Sequence, residues 1–139
     1  MAAGAPLVNI PKFGGAFTWI KAGNLPAATA SAMGHAKSFE VDMTFPKPVK
    51  LKKDKNGNQW FSVLIADQGS DWKWHQTAGP GIVPESGGTI KAGKYKVLVP
   101  VKGIPSSVLS APQQSINVGA GCSGLSAPVP FSIDAIRAK

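Results

Sequence analysis

Two of the chain's four tryptophans fall two residues apart in Ser70-Asp71-Trp72-Lys73-Trp74-His75-Gln76, where every other residue is polar or charged. An indole presents a large flat apolar face and loses little rotamer freedom when it is held against a partner. Alternate residues of a strand face the same way, so the spacing predicts Trp72 and Trp74 on one face and Asp71, Lys73 and His75 on the other. Such a pair is a stacking surface, with Asp71, Lys73, His75 and Gln76 placed to hydrogen-bond the polar rim of whatever lies on the rings. Tyr95 and Gln114, each near the start of a strand, are further candidates for that rim. Trp60 opens an apolar run and is expected to pack inside or at a sheet edge, with the far end of the same platform as the alternative. Trp19, in Phe17-Thr18-Trp19-Ile20, reads as core.

Catalysis is poorly served by comparison. Hydrolysis of a glycosidic bond needs two facing carboxylates at a set separation, and the chain has seven acidic residues in all. Asp54 lies on a basic turn, Glu85 in a glycine-rich loop and Asp134 in the last strand; Glu40 and Asp42 share a strand face without a third group. His35 and His75 stand alone. No Ser-His-Asp spacing, phosphate-cradling glycine loop or zinc ligand set is present, so the chain is read as non-enzymatic. Cys122 is the single cysteine. It excludes an internal disulfide and reads as a small buried residue.

The elements that must position these side chains follow from composition and alternation. At 139 residues the chain suits one domain spanning 1–139, with residues 1–12 expected to be a linker or N-terminal extension. Sixteen glycines and twelve prolines beside 43% apolar residues indicate a turn-rich, ordered, all-β chain. The formal charge of +8 favours anionic partners. Fourteen of the fifteen basic residues are lysines, however, and arginine is the usual reader of phosphates and guanine, so a solvated lysine surface is the simpler reading. No apolar stretch is long enough to span a bilayer, and the first residues lack the pattern of a signal peptide.

Phe39, Val41, Met43 and Phe45 alternate with Ser38, Glu40, Asp42 and Thr44, as in a half-buried strand. Val49 to Lys53 and Gln59 to Asp67 flank Asp54-Lys55-Asn56-Gly57-Asn58, where Asn-Gly predicts a hairpin turn with a lysine-rich solvated tip. Tyr95, Val97 and Val99 share a face, and Gly103-Ile104-Pro105 breaks the ladder. Gln114 to Gly119 is a shorter strand. The last strand, Phe131 to Arg137, sets Phe131, Ile133 and Ala135 against Ser132, Asp134 and Ile136. Ala22 to Ala36 reads as loop with at most one helical turn. About eight strands at this spacing predict an antiparallel two-sheet β-sandwich.

Six features occur in order. They are a strand ending Asp67-Gln68-Gly69-Ser70, the Trp72-Lys73-Trp74 step, Ile90-Lys91-Ala92-Gly93-Lys94-Tyr95, the Gly103-Ile104-Pro105 break, Ile116-Asn117-Val118-Gly119 and Phe131-Ser132-Ile133-Asp134-Ala135-Ile136. In that order they resemble the jelly-roll carbohydrate-binding modules attached to bacterial cellulases, xylanases and mannanases. The resemblance implies a β-sandwich without catalysis that holds a covalently linked catalytic domain near plant cell-wall polysaccharide, as part of a secreted enzyme. It also implies one structural calcium ion near Asp134, although Phe13-Gly14-Gly15-Ala16-Phe17 lacks the amino-terminal carboxylate usual in such modules. The indoles would stack on the axial C–H face of a pyranose, and the polar residues would bond its hydroxyls. The expected ligand is a neutral β-glucan, xyloglucan or mannan; a uronic-acid polymer paired with Lys73, Lys94 and Lys96 is the sharper variant. Two other classes stay open: a single-stranded nucleic-acid-binding β-domain, disfavoured by the absence of an RNP-type motif, and a structural or assembly sandwich subunit.

Overall fold

A computed structural model describes residues 7–10 and 16–139 of the chain, with side chains from residue 25 onward. In chain order the first half forms β1 (Leu7–Ile10), β2 (Ala16–Asn24), α1 (Ala27–Gly34), β3 (Ser38–Phe45), β4 (Val49–Lys50), β5 (Phe61–Gln68) and β6 (Trp74–Gln76). The second half forms β7 (Gly81–Ile82), β8 (Thr89–Ile90), β9 (Gly93–Pro100), α2 (Ser106–Leu109), β10 (Gln113–Cys122) and β11 (Val129–Ala138).

One sheet runs β1-β11-β3-β9 and the other β2-β10-β5-β6, with β7 also pairing β5. Every pairing is antiparallel. Most successive long strands cross to the opposite sheet, and this order in two four-strand layers is the jelly roll. The all-β sandwich expected from the strand spacing is the fold. Alternation builds its core: Phe39, Val41, Met43 and Phe45 are buried on one face of β3, and Phe61, Val63 and Ile65 on one face of β5. Phe45 and Phe131 of the first sheet meet Phe61 of the second with ring centroids 5.3 and 6.1 Å away. Edge-to-face contact at that range is the favoured geometry of aromatic pairs.

Four expectations are corrected. Leu7–Ile10, inside the stretch expected to be an extension, pairs with Val129–Ser132 as the outer strand of its sheet; residues 1–6 and 11–15, and the Trp19 side chain, lie outside the described residues. The arms of the Asn56-Gly57 turn do not form a hairpin ladder: Asp54 N–H reaches Asn58 O at 2.8 Å, but β4 pairs with β8. Ala27–Gly34 is a helix, because an alanine-rich run entered through Pro26 costs little in helical form, and it buries Ala30 and Met33. In β11 a bulge between Ile133 and Ala135 adds one residue. Alternation slips there, and Ile136, expected outside, is buried opposite Val41.

Candidate functional site

The inward row Phe61, Val63, Ile65 fixes which way the rest of β5 points. Ser62, Leu64, Ala66 and Gln68 face outward, and β6 brings Trp74 opposite Gln68 and Gln76 opposite Ala66. Trp74 and Gln76 therefore stand on the outer face of the five-stranded sheet, while His75 is opposite Asp67 on the inner side. The Trp74 ring is 46% exposed, and its Nε1–H donates to Gln76 Oε1 at 3.1 Å. That bond holds the indole along its own strand.

Trp72 is equally exposed, at 48%, but not on the strand as expected. It sits in the turn before β6 with φ 59°, a backbone region where a bulky side chain is rare. Its N–H donates to Gly69 O at 2.9 Å, and Gln68 Nε2 donates to its carbonyl at 2.9 Å. Asp71 Oδ1 accepts the Lys73 N–H at 3.0 Å, so Asp71 closes the turn. Alternation fails for Asp71, Trp72 and Lys73 because the strand begins at Trp74.

At the other end of the same face lies Trp60. The Ser123 N–H donates to its carbonyl at 2.9 Å, which extends the β5–β10 ladder by one step. Its ring lies over Gly121, with Cζ3 3.9 Å from where a Cβ would stand on that glycine. It is 36% exposed and donates from Nε1 to Asp54 Oδ2 at 3.2 Å. Trp60 therefore takes the platform position and not the core. Ile82, opposite Ser62 and 56% exposed, shares this face. Alternation would have found Trp60, since the neighbour of inward Phe61 falls on the outer row; Ile82 gives no such signal, since β7 is only two residues long.

The remaining candidates are elsewhere. Gln114 is fully buried on the inner row of β10, where its Nε2 donates to Leu109 O and Ala111 O at 2.7 and 2.6 Å. It fastens α2 and does not reach a surface ligand. Tyr95 belongs to the inner row of β9 in the other sheet, donates to Lys91 O at 2.5 Å and meets Phe45 edge-on. Lys94 and Lys96 are on the outer side of that sheet, away from Lys73 in the tryptophan turn. The expected trio Lys73, Lys94, Lys96 does not assemble.

The outer side of the four-stranded sheet holds a groove of about 630 Å³ lined by Asp42, Thr44, Lys94, Lys96 and Asp134, among others. Arg137 bridges Asp42 at 2.7 Å and Glu40 at 3.3 Å, and Lys96 lies 3.4 to 3.5 Å from the same two carboxylates. The hydrogen bond from Arg137 is the main reason that the Asp42 carboxyl is held below its ordinary range. Asp134, at the bulge, accepts from Thr44 Oγ1 at 2.5 Å and from Ser132 Oγ at 2.9 Å. These residues do not fit calcium, which takes six to eight oxygens. Both Asp134 oxygens already accept hydrogen bonds, two lysines line the groove, and among the described residues no three histidine, cysteine or carboxylate groups converge.

The sequence matches no protein-family model and no curated protein. Among solved structures, one similar chain comes from the structure of infectious bursal disease virus Gx strain, with TM-score 0.45 and 16% identity over 96% of this chain and 28% of that one. Another comes from the Gt strain of the same virus, with TM-score 0.40 and 12% identity over 96% and 29%. This chain spans under a third of the length of either.

Proposed function

We propose that this domain binds carbohydrate without catalysis, through the outer face of its five-stranded sheet. The observation that carries the reading is the pair Trp72 and Trp74, 48% and 46% exposed where β5 turns into β6. Two large exposed indoles, Trp72 held through its backbone in the turn and Trp74 through its ring, suit stacking on sugar C–H faces. Gln68 and Gln76 stand on the same face to meet hydroxyls. The carboxylates support binding over hydrolysis, since Glu40 and Asp42 are tied to Arg137 and Lys96. In this reading the domain belongs to a secreted polysaccharide-degrading enzyme, and affinities of roughly millimolar to micromolar raise the local concentration of the linked catalytic domain at its substrate.

Affinity electrophoresis through gels carrying soluble plant polysaccharides tests this directly. The chain is expected to be retarded, and Trp74→Ala or Trp72→Ala to bind roughly tenfold or more weakly, as for a central aromatic anchor, with an unchanged unfolding midpoint. Retardation by both variants equal to that of the parent would remove the site. A second reading, assembly of sandwich subunits, is favoured by Leu98 and Ile82. They are 58% and 56% exposed, one on the outer face of each sheet. Concentration-dependent association in sedimentation without glycan binding would select it.

A further inference from the structure

The platform does not end at Trp74. Trp60 shares its outer face, and Gln68, the register partner of Trp74, lies eight residue steps along the strand from Trp60. Eight residues of strand span roughly 26 Å, a length that several linked sugars would cover. At the Trp60 end the chemistry changes from amide to cationic. Lys52, Lys53 and Lys55 are all exposed, and none makes an ion pair among the described residues. The one carboxylate of that tip, Asp54, is already taken by the N–H groups of Asn56 and Asn58 at 2.8 and 2.9 Å and by the Trp60 indole at 3.2 Å. That last bond fixes the basic tip against the edge of the aromatic platform.

We propose that the bound glycan is an acidic one, running from Trp74 to Trp60 with uronate carboxylates received by Lys52, Lys53 and Lys55. This rests on the carbohydrate reading and names its ligand class. A carboxylated sugar presents the same C–H face for stacking and adds a repeating charge that a tip of three exposed lysines, of which Lys55 alone feels the charge of Asp54, can neutralise. A single-stranded nucleic acid fits less well. The tip carries compact ammonium charges and no arginine to grip phosphate bidentately, and the Trp74 end offers Gln68 and Gln76, suited to hydroxyls.

The test titrates the full chain, the Lys52→Gln/Lys53→Gln/Lys55→Gln variant and Trp60→Ala with polygalacturonate, a neutral mixed-linkage glucan and single-stranded DNA, at about 20 and about 150 mM salt. The triple variant changes only exposed side chains, so it keeps the fold even if Trp60→Ala loosens the tip. Polygalacturonate is expected to bind more tightly than the glucan, to weaken about tenfold across the salt range, and to weaken about tenfold in the triple variant with a flattened salt response. Glucan binding that equals polygalacturonate binding and ignores both salt and the lysine changes would overturn the inference and leave the carbohydrate reading standing. Binding of neither glycan would overturn both, and a salt-sensitive DNA complex in that case would replace them.

Discussion

Asp67 is fully buried, and neither carboxylate oxygen has a hydrogen-bond partner. It faces inward between Ile116 of β10 and His75 of β6, its register partners. Gln114, two residues from Ile116 on the same row, leaves its own buried Oε1 unpartnered, so the region holds acceptors in excess of donors. Burial alone pushes the Asp67 carboxyl from its ordinary 3.8 to about 7. The sign of the linkage follows. Below about pH 4 the folded and unfolded chains both hold the proton; between about 4 and 7 only the folded chain holds it, so stability falls as pH rises, and above about 7 the loss is complete. At about 1.4 kcal/mol per pH unit, the separation from 3.8 to about 7 amounts to about 4 kcal/mol at most. That is a large share of a typical domain's stability. Asp42, held low by Arg137, acts with the opposite sign, losing its contribution as pH falls below about 4. Urea unfolding at pH 4, 6 and 8 is expected to show the decline in the parent and its absence in Asp67→Asn, which should be the more stable chain at pH 8; parallel pH curves would refute the assignment. The alternation of Phe61, Val63 and Ile65 extends to Asp67, so its inward direction was legible in the sequence. The turn-like run Asp67-Gln68-Gly69-Ser70 concealed it, because the last residue of a strand and the first of a turn share their chemistry.

The element that presents Trp74 is short and leans on others. β6 and β7 both pair β5; Thr77 N–H still donates to Ile65 O at 2.9 Å, and residues 78–80 leave the ladder between them. There Ala78 N–H donates to Lys102 O at 2.6 Å, and Gly103, at φ 105°, packs so closely that a Cβ would stand 2.6 Å from Gln76 O and 2.7 Å from Ala78 N. A side chain at that position meets backbone and not a yielding side-chain tip. Gly103→Ala is therefore expected to cost roughly 2 kcal/mol or more, read as a lower urea midpoint with the denaturant slope unchanged; a neutral result would mean that the 102–104 turn can move aside. The same element scale explains what could be read in advance. β3 and β9 were legible because one face is wet and one dry, so period-2 alternation survives in the residue types. The partner of β4 is not legible, because Asn56-Gly57 specifies a turn but not which strand its arms join, and that partner, Thr89–Ile90, comes from a distant loop. The bulge at Asp134 left no mark in residue type, and one added residue moved Ile136 from the outer row to the core.

Among the described residues, most of the positive charge makes no ion pair. Glu40 and Asp42 are ion-paired; Asp54, Asp71, Glu85 and Asp134 accept hydrogen bonds from backbone or side-chain donors; Asp67 is buried. Of the lysines from Lys37 onward, Lys96 alone forms an ion pair among the described residues. The surface therefore repels itself, and salt should act on fold and binding with opposite signs. Raising ionic strength from about 10 to about 150 mM shortens the screening length from roughly 30 to roughly 8 Å. Weaker lysine–lysine repulsion is expected to raise stability by about 1 kcal/mol, a few degrees in unfolding midpoint for a chain of this size. The same change weakens the attraction of Lys52, Lys53 and Lys55 for an acidic glycan. Scanning calorimetry and titration on one salt series separate the two effects. A midpoint that rises while polygalacturonate affinity falls places the loss at the basic tip, whereas a midpoint that falls together with affinity would mean that salt acts by loosening the sandwich, and would deny the lysines any direct part in binding.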